Sequence, residues 1–222
     1  MKNLKFIAQQ LRKPSGDFAT TIAEKMNVGN NPLYDLTFST INLSDGDTIL
    51  EIGFGNGYHF PKLLSLKNNL TLYGIDYSAE MVNQASARNK IFLDSKQLFL
   101  NEGNSDSLPY EDNKFDKVFC NMVIYFWENP EDHLNEISRV LKPNGKFYTG
   151  MRTKKSMLEL PFTKFNFNLY TVDFWTSALT AHHFDVLRVE RKKDPAFDDF
   201  DKVVQLESVF IEAEIINHFQ YV

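Results

Sequence analysis

The strongest constraint on this chain's fold is a rhythm between residues 47 and 151. Five short runs rich in β-branched or aromatic residues occur there: "DTILEIG" (47–53), "LTLYGID" (70–76), "KQLFLNEG" (96–103), "FDKVFCN" (115–121) and "GKFYTGM" (145–151). They alternate with "YHFPKLLSL" (58–66), "SAEMVNQASARNK" (78–90) and "PEDHLNEISRVL" (130–141), which have helical period or composition. Only the segment between the third and fourth runs lacks a helix pattern. Strands spaced this way pair in parallel, and right-handed crossovers wind helices onto both faces of the sheet. Two more runs, "FDVLRVERK" (184–192) and "VVQLESVFIEAEII" (203–216), are joined by a link too short for a parallel crossover, so they run antiparallel. The expected fold is a doubly wound α/β sheet of seven strands, mostly parallel, with an antiparallel last strand.

Ahead of the sheet, "DFATTIAEKMN" (17–27) and "NPLYDLTFSTIN" (31–42) read as two helices, the second opening on Asn31 and Pro32. They predict an N-terminal helical cap over 1–43, before a main domain over 44–222. Within that domain, 151–183 is expected to be a helical insertion covering the substrate. A chain of 222 residues, 43% hydrophobic, can bury one sizeable core. Its formal charge of −5 offers no general attraction to phosphate backbones, so nucleic acid is not the expected partner. Cys120 is the lone cysteine, which rules out an intrachain disulfide and reads as a small buried hydrophobe. No run approaches the roughly 18 apolar residues of a membrane span, and "MKNLKFIAQQLRKPSG" does not read as a secretory signal, so a cytoplasmic protein is expected. No metal site is expected: His182 and His183 are adjacent on a helix and point apart. Asp198, Asp199 and Asp201 read as a solvated loop.

The first strand ends in "ILEIGFGNGYHF" (49–60), with Gly53, Gly55 and Gly57 at every second position and a helix behind them. Glycine admits positive φ and lets a ligand lie against the main chain. Phosphate is one candidate ligand, but a dinucleotide loop needs a third glycine where Tyr58 stands, and no Gly-Lys-Ser/Thr follows for a nucleotide triphosphate loop. Glu51 repels phosphate and suits a cationic amino group or ordered waters. Asp76, closing the second strand, can accept from both hydroxyls of a ribose. A ribose and a cationic part without phosphate describe S-adenosylmethionine.

Taken with "GIDYSAEMV" and "EGNSDSLPYEDNKFDKVFCNMVIYFWENPEDHLNEISRVLKPNGKF", the loop resembles the successive motifs of the class I S-adenosylmethionine-dependent methyltransferases, with a Rossmann-like fold. Their small-molecule branch, which includes quinone-biosynthesis enzymes, is the most similar. The resemblance covers roughly 44–150. It implies that Gly53, Phe54, Gly55 and Gly57 form the methionine cradle, Glu51 holds the ammonium and Asp76 takes the ribose. Tyr77 and Met81 would flank the adenine. Asn104 would accept from its amino group, where many relatives carry Asp, and the Ser105 N–H would meet a ring nitrogen. Asn121 would lie under the reactive centre.

Methyl transfer needs mostly positioning and water exclusion. Tyr58, His59, Tyr125, Phe126 and Arg152 are candidate substrate residues, Phe54 and Trp127 completing an aromatic group near a cationic sulfur. His59 or Tyr125 can assist deprotonation, or His59 can simply pack its helix; no catalytic base declares itself. The flank with Arg12 and Lys13, and 151–170 with Lys154, Lys155, Phe162, Phe165, Phe167 and Tyr170, are candidate walls for an apolar or aromatic small-molecule acceptor. The missing Asp/Asn-Pro-Pro-Tyr, replaced by "NMVI", turns the expectation toward an oxygen or carbon acceptor. A cofactor-binding protein without catalysis and a nicotinamide oxidoreductase are the rivals. The sequence does not set the oligomeric state.

Overall fold

Period-two alternation decides which side chains of the central strands meet which helices. The computed structural model describes residues 3–199 and 202–216. In chain order they form α1 (Leu4–Arg12), α2 (Ala19–Thr40), β1 (Thr48–Ile52), α3 (Phe60–Leu64), β2 (Thr71–Asp76), α4 (Ala79–Arg88), α5 (Lys90–Asp94) and β3 (Leu98–Glu102). There follow β4 (Phe115–Asn121), α6 (Pro130–Val140), β5 (Leu141–Arg152), α7 (Lys154–Leu158), α8 (Val172–Ala181), β6 (Phe184–Lys193), β7 (Phe197–Asp199), β8 (Lys202–Val204) and β9 (Glu207–Ile215). The main sheet has seven strands in the order β3-β2-β1-β4-β5-β9-β6. β9 is antiparallel to β5 and β6, and the other pairings are parallel.

Along β1, Leu50 and Ile52 pack with Val118 and Cys120 of β4 under α6 and α8. Ile49 and Phe119 face the other way, toward Tyr34 and Phe38 of α2 and Phe60 and Leu63 of α3. The same parity turns Glu51 and Asn121 toward α2. Strand order reverses between β1 and β4, and the crevice outside the carboxyl ends of strands at such a point is where doubly wound folds bind ligands.

Three expectations change. Residues 19–40 form one 22-residue helix, α2, with Pro32 inside it instead of opening a second helix. Proline in a helix interior costs about 3 kcal/mol or more. Burial of Ala19 and Ala23 before it, and of Leu33, Tyr34, Thr37 and Phe38 after it, outweighs that cost. In the turn before the proline, Gly29 O accepts from Arg152 Nη2 (2.5 Å). The fifth strand starts ahead of residue 145: β5 opens at Leu141, paired with Phe115 before a register shift. The run 203–216 divides, its start pairing with β7 as a small hairpin. Asp198 and Asp199 therefore lie on a strand, while residue 201 falls outside the described residues.

Candidate cofactor and acceptor site

A cavity of about 490 Å³ opens at the carboxyl ends of β1, β2, β3 and β4, under α2 and the end of α1. The three glycines of its loop all have positive φ, but they do different work. A Cβ on Gly53 would meet Val123 Cγ2 at 2.3 Å, and one on Gly57 would meet Asn89 Nδ2, Ala85 and Phe60 within 2.9 Å. Those two permit close packing. A Cβ on Gly55 would meet nothing within 4 Å: here the bare main chain faces open space, and of these three only Gly53 and Gly55 line the cavity.

Asp76 is fixed beside that loop by two backbone donors, Gly55 N–H to Oδ2 (2.8 Å) and Ser78 N–H to Oδ1 (2.9 Å). Burial pushes its carboxyl up to about 6 against those bonds. Tyr77 and Met81 also line the cavity; Tyr77 lies under Lys13 Nζ (4.2 Å) and Met81 is fully buried against Ala19 and Ala23. The groups expected to read an adenine are bonded to each other: Ser105 N–H donates to Asn104 Oδ1 (2.9 Å), and Asn104 Nδ2 donates to Asp106 Oδ2 (2.6 Å). An aromatic wall stands close by. Trp127 stacks on His133 at 4.4 Å, and His133 Nδ1 lies 2.8 Å from Ser105 Oγ. Burial lowers the His133 pKa to about 4, so the ring is neutral at pH 7.

Glu51 lies below the loop, 1% exposed. Tyr34 Oη donates to its Oε1 (2.7 Å), and Oε2 has no partner among the described residues. Burial raises the Glu51 carboxyl to about 8, against the lowering effect of the Tyr34 bond. His59 stacks on Tyr34 at 3.6 Å, and burial followed by Lys62 lowers its pKa to about 4. Its Nε2 is buried and unpaired among the described residues, as is Asn121 Nδ2, while Asn121 Oδ1 accepts from Thr37 Oγ1 (3.0 Å).

Phe54, Asn104, Ser105, Asn121, His59 and Phe126 line the cavity; Glu51, buried beneath the loop, does not, and neither do Tyr58, Tyr125 and Arg152. Tyr58 stands half exposed beside Arg88. Tyr125 is fully buried, accepting from Arg152 N–H (2.6 Å). Arg152 is locked to Asp194 (3.0 Å), because a guanidinium buried so deeply needs a carboxylate. The expected aromatic wall of 151–170 is also elsewhere: Phe162, Phe167 and Tyr170 pack on the core, and no residue of 151–183 lines the cavity. α2 supplies that wall instead, through Asn27, Asn30 and Tyr34. The signal was present in the sequence, since Asn27, Asn30, Tyr34 and Thr37 recur at spacings of three and four, a polar stripe on one helical face. Among the described residues there is no cluster suited to a metal ion and no helix long and apolar enough to cross a membrane.

An open glycine cradle, a buried carboxylate with one oxygen unpaired among the described residues and a second carboxylate at the end of β2 stand together at these strand ends. S-adenosylmethionine fits these residues. Residues 50–149 match the family model described as a methyltransferase domain. Methyltransferase YdaC of Bacillus subtilis (strain 168) is 30% identical over 131 residues, 59% of this chain and 70% of that one. A tRNA U34 carboxymethyltransferase of Photobacterium profundum is 32% identical over 113 residues, although the match spans only 34% of its length. In fold, the Haloferax volcanii methyltransferase solved in complex with the Trm112 methyltransferase activator superposes with a TM-score of 0.79 at 21% identity, covering 92% of this chain and 96% of that one. A methyltransferase of Aquifex aeolicus gives 0.67 at 21% identity, over 89% and 97%. The chain belongs to the class I S-adenosylmethionine-dependent methyltransferase family.

Proposed function

We propose that the chain transfers a methyl group from S-adenosylmethionine to a small organic acceptor, at oxygen or carbon in preference to nitrogen. The observation that carries this reading is the composition of one cleft at the strand ends. Its nucleoside half, around Asp76 and Met81, is continuous with a wall of Met26, Asn27, Asn30, Val123 and Phe126. A volume of about 490 Å³ lies in the range of small-molecule sites, roughly 300–1,000 Å³. Arg12 is the only cation among the lining residues, and it is paired with Glu128 at 3.0 Å. That charge pattern favours a neutral acceptor over a polyanion such as the tRNA named for some relatives.

The bound cofactor supplies an activated methyl group on a sulfonium sulfur. Asp76 and Glu51 would hold its ribose and ammonium, and the main chain at Gly55 would receive its tail. Met26, Val123 and Phe126 would exclude water and bear on the acceptor. Neutral His59, lying against Tyr34, is the titratable side chain of this chain nearest to a proton-accepting role. Its enclosed Nε2 also favours a second reading, a cofactor-binding protein without catalysis.

Incubation with S-adenosylmethionine and a panel of phenols, quinones, carboxylic acids, amines and bulk tRNA, read by S-adenosylhomocysteine formation, tests these readings. Turnover of a phenol or quinone supports the proposal. Turnover of tRNA alone overturns the acceptor class, and tight cofactor binding with no turnover favours the second reading.

A further inference from the structure

Two hydroxyls of α2 reach the two polar side chains that β1 and β4 turn toward it. Tyr34 and Thr37 are three residues apart, hence on one face of the helix. Strand parity places Glu51 and Asn121 opposite them, and Tyr34 is 6% and Thr37 1% exposed. Each hydroxyl donates to one oxygen, Tyr34 to Glu51 Oε1 (2.7 Å) and Thr37 to Asn121 Oδ1 (3.0 Å). Among the described residues, each strand side chain then has one polar atom left over, buried and without a partner: Glu51 Oε2, an acceptor once the carboxyl is ionised, and the donor Asn121 Nδ2. Asn121 cannot turn freely, because Gly150 runs so close beneath it that a Cβ there would meet Asn121 Oδ1 at 1.8 Å.

We infer that Tyr34 and Thr37 are positioning residues for the amino-acid tail of the cofactor. They fix Glu51 to present an acceptor to an ammonium, and Asn121 to present a donor to a carboxylate. An α-amino acid carries both groups on one carbon, which matches one acceptor and one donor set by a single helix. This rests on the proposed cofactor reading. It also gives α2 a task beyond covering the sheet, since withdrawing the helix would release both clamps together.

Calorimetric titration with two ligands tests it without any turnover: S-adenosylhomocysteine, and 5′-methylthioadenosine, which shares the nucleoside but lacks the tail. Tyr34→Phe and Thr37→Val should each weaken S-adenosylhomocysteine by about three- to ten-fold, the range of one hydrogen bond, and leave methylthioadenosine unchanged. Thr37→Ser keeps the hydroxyl and should bind as wild type. Tyr34→Phe should also move the pH dependence of S-adenosylhomocysteine binding upward, because a donor that favours the ionised Glu51 is gone. Equal losses for both ligands, or no loss for either, would overturn the inference. If the unaltered protein binds neither ligand, the cofactor reading itself fails first.

Discussion

At the scale of single residues, the three loop glycines separate binding from folding. Gly55→Ala places a methyl group in open space, at the cost of holding a non-glycine residue at φ +60°, roughly 1–2 kcal/mol. Gly53→Ala drives its methyl into Val123 Cγ2 and has the same backbone penalty at φ +72°. Thermal melts and calorimetry on the pair should show a larger stability loss for Gly53→Ala and a larger S-adenosylhomocysteine loss for Gly55→Ala; the reverse order would remove Gly55 from the cradle. Glu51 gives a pH prediction. Its carboxyl holds a proton to about pH 8 in the free folded protein, but only to about 4.5 when unfolded. Its stabilising contribution is therefore complete below about 4.5 and is lost as pH rises toward 8. Glu51→Gln keeps the shape without the ionisation, so its melting temperature should fall less than that of wild type between pH 5 and 8, as followed by scanning calorimetry. Identical slopes would mean that Glu51 ionises freely.

At the scale of elements, the alternation of strands with helices, their mostly parallel pairing and the antiparallel end could be read from periodicity and link lengths. The glycine loop, Asp76 and Asn121 could be located because their chemistry follows from strand ends. What escaped the sequence was tertiary. Pro32 reads as a helix start until burial on both sides of it carries α2 through. Phe162, Phe167 and Tyr170 look like a substrate wall because composition does not distinguish an aromatic that lines a cavity from one that fills a core. Arg152 is the clearest case, a cation near the right strand end that proves to tie β5 to α2 through Gly29 O and to Asp194, which also accepts from Ser208 Oγ (2.7 Å). Removing one partner of such a buried pair strands the other's charge, typically costing about 3–5 kcal/mol. Arg152→Ala should therefore lower the urea midpoint markedly. A variant of unchanged stability with altered acceptor saturation would return Arg152 to the substrate.

For the whole molecule, the cavity is where parts distant in the sequence meet: α1 and α2, the ends of four strands, and the loop before α6. A ligand seated there binds only when all of them are in place, so it stabilises the folded state as a whole. At 100 times its dissociation constant such a ligand adds about 2.7 kcal/mol, and for a domain of this size each kcal/mol raises the melting temperature by about 2–4 °C. S-adenosylhomocysteine at that level should raise the melting temperature by about 5–11 °C by differential scanning fluorimetry. NADH and ADP should leave it unmoved, because Glu51 below the loop and the packed backbone at Gly53 and Gly57 give no seat for a diphosphate. A shift with NADH matching that of S-adenosylhomocysteine would reverse the assignment of the loop to an amino-acid tail, and with it the placing of the acceptor wall on α2.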